Sequence, residues 1–354
     1  MSQSVVRPWI SAAIALVAAS VVVATPAAVP LRALHRLAVQ LVSGAEDITI
    51  DFVRHGQSVD NAEGILGTVA PGATLTDLGQ QQANDVAALI HAAFPNGIAG
   101  IYGSELVRTQ ETAQPLLDLL GMNGQVLSGL NEVNAGWLEG NSLTTLTQIG
   151  YVLPTLMWIL GLEFVPMLGS IANPNGVAFQ DGVNAAVQAI YNTTVADPNQ
   201  PMTDIAFSSA GTIAAWTLLN VKNPDFALAF KDLIATHEPL PNAGQVVIEG
   251  NPTDGWTLVS WNGTDVSPNP DVLTSLFVDF RNLIEAPEIA VWHLWETIIG
   301  GDSAAVASAV PAAFDEVGAA LLQFPESVAS SLAGAVQDLG AVAGGQLAEA
   351  LAAI

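Results

Sequence analysis

The residue types best suited to chemistry in this chain cluster just after a short β-rich run. Ile48-Thr49-Ile50-Asp51-Phe52-Val53 reads as a strand, Arg54-His55-Gly56-Gln57-Ser58 follows it, and Asn61 lies three residues on. Ligands of open α/β sheets bind beyond the carboxyl ends of strands, which is where a reactive side chain belongs. A lone Arg-His pair would mean little, since surface histidines are common. The pair does not stand alone. Leu75-Thr76-Asp77-Leu78-Gly79 comes next, with Gln82-Ala83, and then Ser104-Glu105-Leu106-Val107-Arg108 with Thr112-Ala113. Leu130-Asn131-Glu132 then precedes Gly136-Trp137-Leu138-Glu139-Gly140. The chain has no cysteine, which excludes disulfides, thiolate metal sites and a cysteine nucleophile but leaves the redox compartment open.

In order and spacing these blocks resemble the histidine phosphatase superfamily, also called phosphoglycerate mutase-like. The family pattern is R-H-G at the end of the first strand, then L-T-x-x-G-x-x-Q-A, S-x-L-x-R-x-x-x-T-A and L-x-E-x-x-x-G-x-x-E-G. A late match at Leu240-Pro241-Asn242 leads into the last strands, and the resemblance covers about residues 48–263. It implies that His55 is the nucleophile, attacking phosphorus through a neutral imidazole nitrogen to leave a phosphohistidine. It implies that Arg54 and Arg108 hold the phosphoryl oxygens without a metal or other cofactor. Glu132 would protonate the leaving oxygen and later deprotonate water, and Asn61 would add a neutral hydrogen bond. Glu139 reads as structural.

The pattern departs from the family at one place. The family carries a second histidine after a late strand, and the matching stretch here, Ile205 to Ile213, places Ser209 there. A hydroxyl donates a hydrogen bond but supplies no imidazolium charge, and losing a charged donor from such a clamp costs on the order of 3–4 kcal/mol. His237, just before Pro239-Leu240-Pro241, is a possible substitute from a loop.

The elements that must position these residues alternate. Thr76 to Phe94 is helix-like, Ile98 to Gly103 strand-like, and Arg108 to Leu120 helix-like. Asp204 to Ser208 is a third strand followed by a helix over Thr212 to Asn220, and Gln245 to Glu249 and Trp256 to Trp261 close the series. Such alternation implies an α/β domain with a mostly parallel sheet flanked by helices in three layers, placed at 46–263. Within it, residues 140–180 hold a single charge, Glu163. Pro154, Gly161 and Pro166 argue against a transmembrane helix and for a helical insertion packed on the domain. Residues 264–354 form an Ala-rich extension with twelve acidic residues and one basic, Arg281, and Pro311 and Pro325 suggest several short helices.

Residues 1–45 differ in kind. Arg7 precedes an uncharged stretch from Pro8 to Leu31, and Thr25-Pro26-Ala27-Ala28 offers small residues for cleavage. This reads as a signal peptide or a membrane anchor with a linker, and therefore as export to the cell envelope or beyond. Either residues 1–45 or the C-terminal extension would supply any membrane or envelope association.

Charge narrows the ligand. The chain has 33 acidic and 8 basic residues, a net charge of −25, which excludes a general nucleic-acid binder. Beyond Arg54 and Arg108, only Lys222, Lys231 and Arg281 follow residue 45, too few cations for a ligand with two phosphates and a carboxylate. A small substrate with one phosphate is expected, with Trp158, Leu160, Leu162, Phe164 and Met167 of the insertion as candidate cover for an apolar leaving group. The leading expectation is a phosphomonoesterase. Mutase-type phosphoryl transfer and a catalytically silent phosphate-binding or interaction module are the alternatives.

Overall fold

The computed structural model describes residues 45–352 except His237, in two compact units, Ala45–Pro270 and the part from Asp271 onward. The expected export segment, apart from Ala45, and His237 lie outside the described residues.

The first unit is built on a seven-stranded sheet. Its strands are β1 (Ile48–Arg54), β2 (Gly100–Gly103), β3 (Gln125–Val126), β4 (Thr203–Ser208), β5 (Gln245–Asn251), β6 (Gly255–Trp261) and β7 (Thr264–Asp265), in the order β3-β2-β4-β1-β5-β6-β7. The first four run parallel and the last three antiparallel. The central strands are buried on both faces, as parallel strands covered by helices must be. One apolar layer gathers Ile50, Phe52, Ala206, Phe179 and Trp216, and a second gathers Val53, Ile205, Phe207, Val86 and Leu116. These are the two helix–sheet interfaces of a three-layer α/β domain.

The helices of this unit are α1 (Val59–Glu63), α2 (Asp77–Ala93), α3 (Val107–Leu120), α4 (Thr145–Ile159), α5 (Gly176–Val195), α6 (Ala210–Asn220) and α7 (Phe226–Thr236). Side chains fix several starts. Thr76 accepts from Gly79 N–H at the head of α2, Asn175 from Ala178 N–H at the head of α5, and Ser58 and Asn61 make a reciprocal capping box at α1. The low-charge insertion at 140–180 comprises α4, the loop after it and the first turn of α5. Trp158 and Ile159 of α4 are buried, and Trp158 stacks on Phe179 at 5.6 Å between centroids. Pro154 sits inside α4 without ending it.

The glycines of the first two blocks explain each other. A Cβ on Gly56 would meet the Gly79 carbonyl oxygen at 2.5 Å, and one on Gly79 would meet the Gln57 carbonyl oxygen at 2.1 Å. The loop carrying His55 therefore lies directly on the first turn of α2. Gly79→Ala is expected to destabilise the domain by about 1–3 kcal/mol through overpacking. Helix propensity alone predicts the opposite sign, a gain of about 1 kcal/mol. Urea unfolding decides between them, and an unchanged or raised midpoint would refute the close approach.

The second unit is two long helices, α8 (Val272–Ile299) and α9 (Ser303–Ala352). Phe280 meets Phe324, Ser331 donates to Asp279, and Ala290 packs with Ala313 and Val317, a pattern of falling against rising numbers that makes the pair an antiparallel hairpin. This corrects the expectation of several short helices, since Pro311 and Pro325 both lie inside α9. An internal proline removes one hydrogen bond and crowds one carbonyl, at about 3 kcal/mol. Alanine-rich flanks and packing against α8 keep the helix continuous across that penalty. Within α9, Ser303–Gly334 is long and apolar enough to cross a membrane by length and composition.

Candidate active site

The parallel strands bring three segments to one edge. Arg54 pairs in register with Ser208, so His55 and Ser209, the next residue of each strand, emerge side by side. Gly103 at the end of neighbouring β2 pairs with Phe207, and Arg108 enters from the first turn of α3 just beyond it. His55 N–H donates to the Ser208 carbonyl at 3.0 Å, and Gly56 N–H donates to Thr112 Oγ1 at 3.0 Å. Asn242 from the far end of the chain clamps the same loop, its Nδ2 donating to the His55 carbonyl at 3.1 Å and to Asn61 Oδ1 at 3.2 Å.

His55, Arg54 and Arg108 are almost fully buried, at 2–3% exposure, yet all three line one cavity of about 270 Å³ together with Asn61 and Glu132. His55 Nδ1 lies 2.7 Å from the Gly56 carbonyl oxygen, which only accepts, so Nδ1 carries the proton. Nε2 therefore keeps its lone pair, which accepts from Arg108 Nε at 2.9 Å. Burial, and then the positive charges of Arg108 and Arg54, hold the imidazole pKa well below its usual 6.5. The ring is a neutral base aimed from a cationic pocket.

The two guanidiniums are only partly satisfied by protein. Arg54 Nη1 contacts the Glu238 carboxylate and the Leu240 carbonyl, while its Nε is buried without a hydrogen-bond partner. Arg108 Nη2 donates to Ser209 Oγ at 3.4 Å, and its Nη1 is likewise buried and unpartnered. Donors in that state suit an anion with several acceptor oxygens. Among the described residues of this unit the cations are Arg54, Arg108, Lys222 and Lys231, and only the first two line the cavity.

Glu132 enters from the opposite wall. Its Oε1 accepts from Val133 N–H at 2.9 Å and Thr212 N–H at 3.2 Å, which pins it to the first turn of α6. Ser208 Oγ donates to the Leu130 carbonyl and Thr212 Oγ1 to the Asn131 carbonyl, both at 2.7 Å, so the strand and helix ends hold the Glu132 segment directly. A Cβ on Gly211 would meet Glu132 Oε1 at 2.6 Å, so the glycine makes room for the carboxylate. Ser209 is fully buried at the head of α6 and reaches the site only through Arg108. Asn61 gives its Oδ1 to Ser58 N–H and Asn242, leaving its amide nitrogen as its donor toward the cavity. Glu139 accepts from Thr68 N–H and Val69 N–H and ties down the loop that roofs the site.

The structure thus brings together His55, Arg54, Arg108, Asn61 and Glu132, with Ser209 behind Arg108. It also adds residues that sequence reasoning missed. Tyr151 of α4 lines the cavity beside Glu132, with its hydroxyl donated to the Val133 carbonyl at 2.9 Å. Burial, then the Glu132 charge, push its phenol well above the usual 10. Glu238 and Asn242 belong to the short Pro-rich stretch that supplied the late motif match, which was the available signal for them. The insertion residues expected to cover a leaving group do not line this cavity. Trp158 and Met167 are buried in the core, and Leu160, Leu162 and Phe164 are exposed. Other residues of the same helix, Val152, Leu156 and Ile159 among them, take that place.

Comparison with known proteins adds independent findings. Residues 50–157 match the model of the histidine phosphatase superfamily (branch 1). The chain is 46% identical over 292 residues to PE-PGRS family protein PE_PGRS11 of Mycobacterium tuberculosis, covering 81% of this chain and 48% of that protein. It is 34% identical over 100 residues to a probable phosphoglycerate mutase GpmB of Yersinia enterocolitica, covering 28% of this chain and 45% of that protein. The chain thus spans about half the length of the curated relatives it matches. A solved mycobacterial glucosyl-3-phosphoglycerate phosphatase in complex with VO3 superposes at a TM-score of 0.44 and 21% identity, over 61% of this chain and 100% of that chain. The segment that matches the histidine phosphatase superfamily, residues 50–157, is thus the one that carries the R-H-G loop and both arginines of the cavity.

Proposed function

We propose that the domain is a phosphomonoesterase working through a phosphohistidine on His55, without a metal, on a substrate carrying one phosphate. The observation that carries this reading is the state of His55: neutral, with Nδ1 tied to the Gly56 carbonyl and Nε2 presented between two arginines. In the reaction, the Nε2 lone pair attacks phosphorus as the ester P–O bond breaks, and protonated Glu132 gives its proton to the leaving oxygen. Water then attacks the phosphohistidine, Glu132 takes back a proton, and inorganic phosphate leaves. Arg108 and Arg54 stabilise charge on the transferring oxygens, with Arg108 Nε turning from Nε2 to an oxygen once the lone pair is engaged. Ser209, at the place of the family's second histidine, contributes a hydroxyl and no charge, so turnover is expected to be slower by about 10²–10³ than with an imidazolium there. Two cations at the cavity suit one phosphate better than a ligand bearing several anionic groups.

The test is to trap the phosphoenzyme by acid-free quenching of the full chain with labelled p-nitrophenyl phosphate. An acid-labile, alkali-stable label is expected. An acid-stable, alkali-labile label, or no phosphate release across a broad panel of monoesters, would overturn the reading. A pH profile gives a second check. Since the free-enzyme His55 pKa is depressed, the acid limb of kcat/KM should lie well below 6.5. A limb at 6.5 would show an imidazole exposed to solvent rather than held as described.

A further inference from the structure

The cavity does not end at the phosphate site. It continues between α4, α6 and α7 as a slot with apolar walls, and each helix presents one stripe to it. On α6 the stripe is Gly211, Ala214, Ala215 and Leu218, spaced i, i+3, i+4 and i+7 along one face. Gly211 stands next to Glu132, and Leu218 is the larger residue two turns further on. On α4 the facing residues follow the same period, with Val152 and Leu156 at its centre, and α7 supplies Phe230. Gln148 lies at the start of the α4 stripe, and two other polar groups on these walls are engaged with protein. Thr155 Oγ1 donates to the Val152 carbonyl of its own helix, and the Tyr151 hydroxyl donates to the Val133 carbonyl. From Gly211 to Leu218 this lining spans about 10 Å along the helix.

We infer that the leaving group is an extended aliphatic chain, so that the substrate class is the monophosphate ester of a long-chain alcohol. The inference rests on the phosphatase reading for its chemistry: the P–O bond to the chain breaks, the alcohol keeps the oxygen and gains the Glu132 proton, and water completes phosphate. The slot itself stands on geometry alone. A polyhydroxylated leaving group would set most of its hydroxyls against the aliphatic side chains of Val152, Leu156, Ala214 and Leu218, whereas each methylene gains from leaving water.

The experiment measures binding of methyl-, butyl- and octylphosphonate to the full chain by calorimetry, beside hydrolysis of the corresponding alkyl phosphates and of glycerol 3-phosphate. Affinity and kcat/KM should rise about three- to fourfold per methylene until the slot is filled. Ala214→Phe should make the rise level off after fewer carbons, and Leu218→Ala should prolong it. A flat series, or glycerol 3-phosphate preferred to butyl phosphate, overturns the inference. Chain-length-dependent phosphonate binding with no hydrolysis of any ester would sink the phosphatase reading and leave the slot standing.

Discussion

Replacing His55 by alanine is expected to lower kcat for p-nitrophenyl phosphate by on the order of 10⁴ or more, because the group proposed to bond to phosphorus is gone. Binding of inorganic phosphate should survive. Arg54 and Arg108 remain, and loss of the imidazole frees the Arg108 Nε donor that Nε2 now occupies. Arg108→Ala should cost about 10²–10³ in kcat by itself, since it removes donors at developing charge. The double variant should be little worse than His55→Ala alone, because the arginine assists a transfer that no longer takes place. Measured together, kcat, phosphate affinity and a melting curve separate loss of the nucleophile from loss of the pocket. Residual turnover above about 1% with the fold intact would mean that another group attacks phosphorus.

How far such a site is legible in a sequence depends on whether its contacts are local. Arg54, His55 and Gly56 were readable because one strand end delivers all three, and the blocks with Gly79 and Thr112 recur because both residues touch that loop. The pairing of β1 with β4 was not readable. It joins residues about 150 positions apart, and the sheet order does not follow the chain, so the adjacency of His55 and Ser209 emerges only in three dimensions. Strands β3 and β7, two residues each, carry too little pattern to register. The insertion shows a different limit. Its composition announced apolar burial, but α4 is apolar on most sides, so no periodic contrast says which face meets the core and which meets the cavity. Trp158 and Leu156 are two residues apart and serve opposite ends, one in the core and one at the slot.

Asp51→Asn is expected to stabilise the protein at pH 8 and leave it unchanged at pH 4. Asp51 sits in the middle of β1, 1% exposed, between Ile205 of β4 and Val247 of β5. Its Oδ2 accepts from Gln245 Nε2, a diagonal neighbour across the antiparallel pair, and its Oδ1 is buried without a partner. Burial outweighs that one hydrogen bond and raises the carboxyl to about 7 from an ordinary 3.8. Between those values the folded chain holds a proton that the unfolded chain has lost, so stability falls as pH rises through that window. The contribution is intact below pH 4 and gone above pH 7, and a shift of that size corresponds to about 4 kcal/mol. Asparagine reproduces the protonated acid and never ionises, so the variant should gain most of that amount at pH 8, a rise in Tm of roughly 10 °C for a domain of this size. Asp204, buried on β4 and likewise raised to about 7, titrates in the same window, so the variant should lose only part of the wild-type slope. The difference between variant and wild type across pH isolates Asp51 from every other carboxylate. A variant less stable than wild type at pH 8 would show that the ionised carboxylate has partners of its own, and that the acid belongs to the site's electrostatics rather than to the sheet's interior.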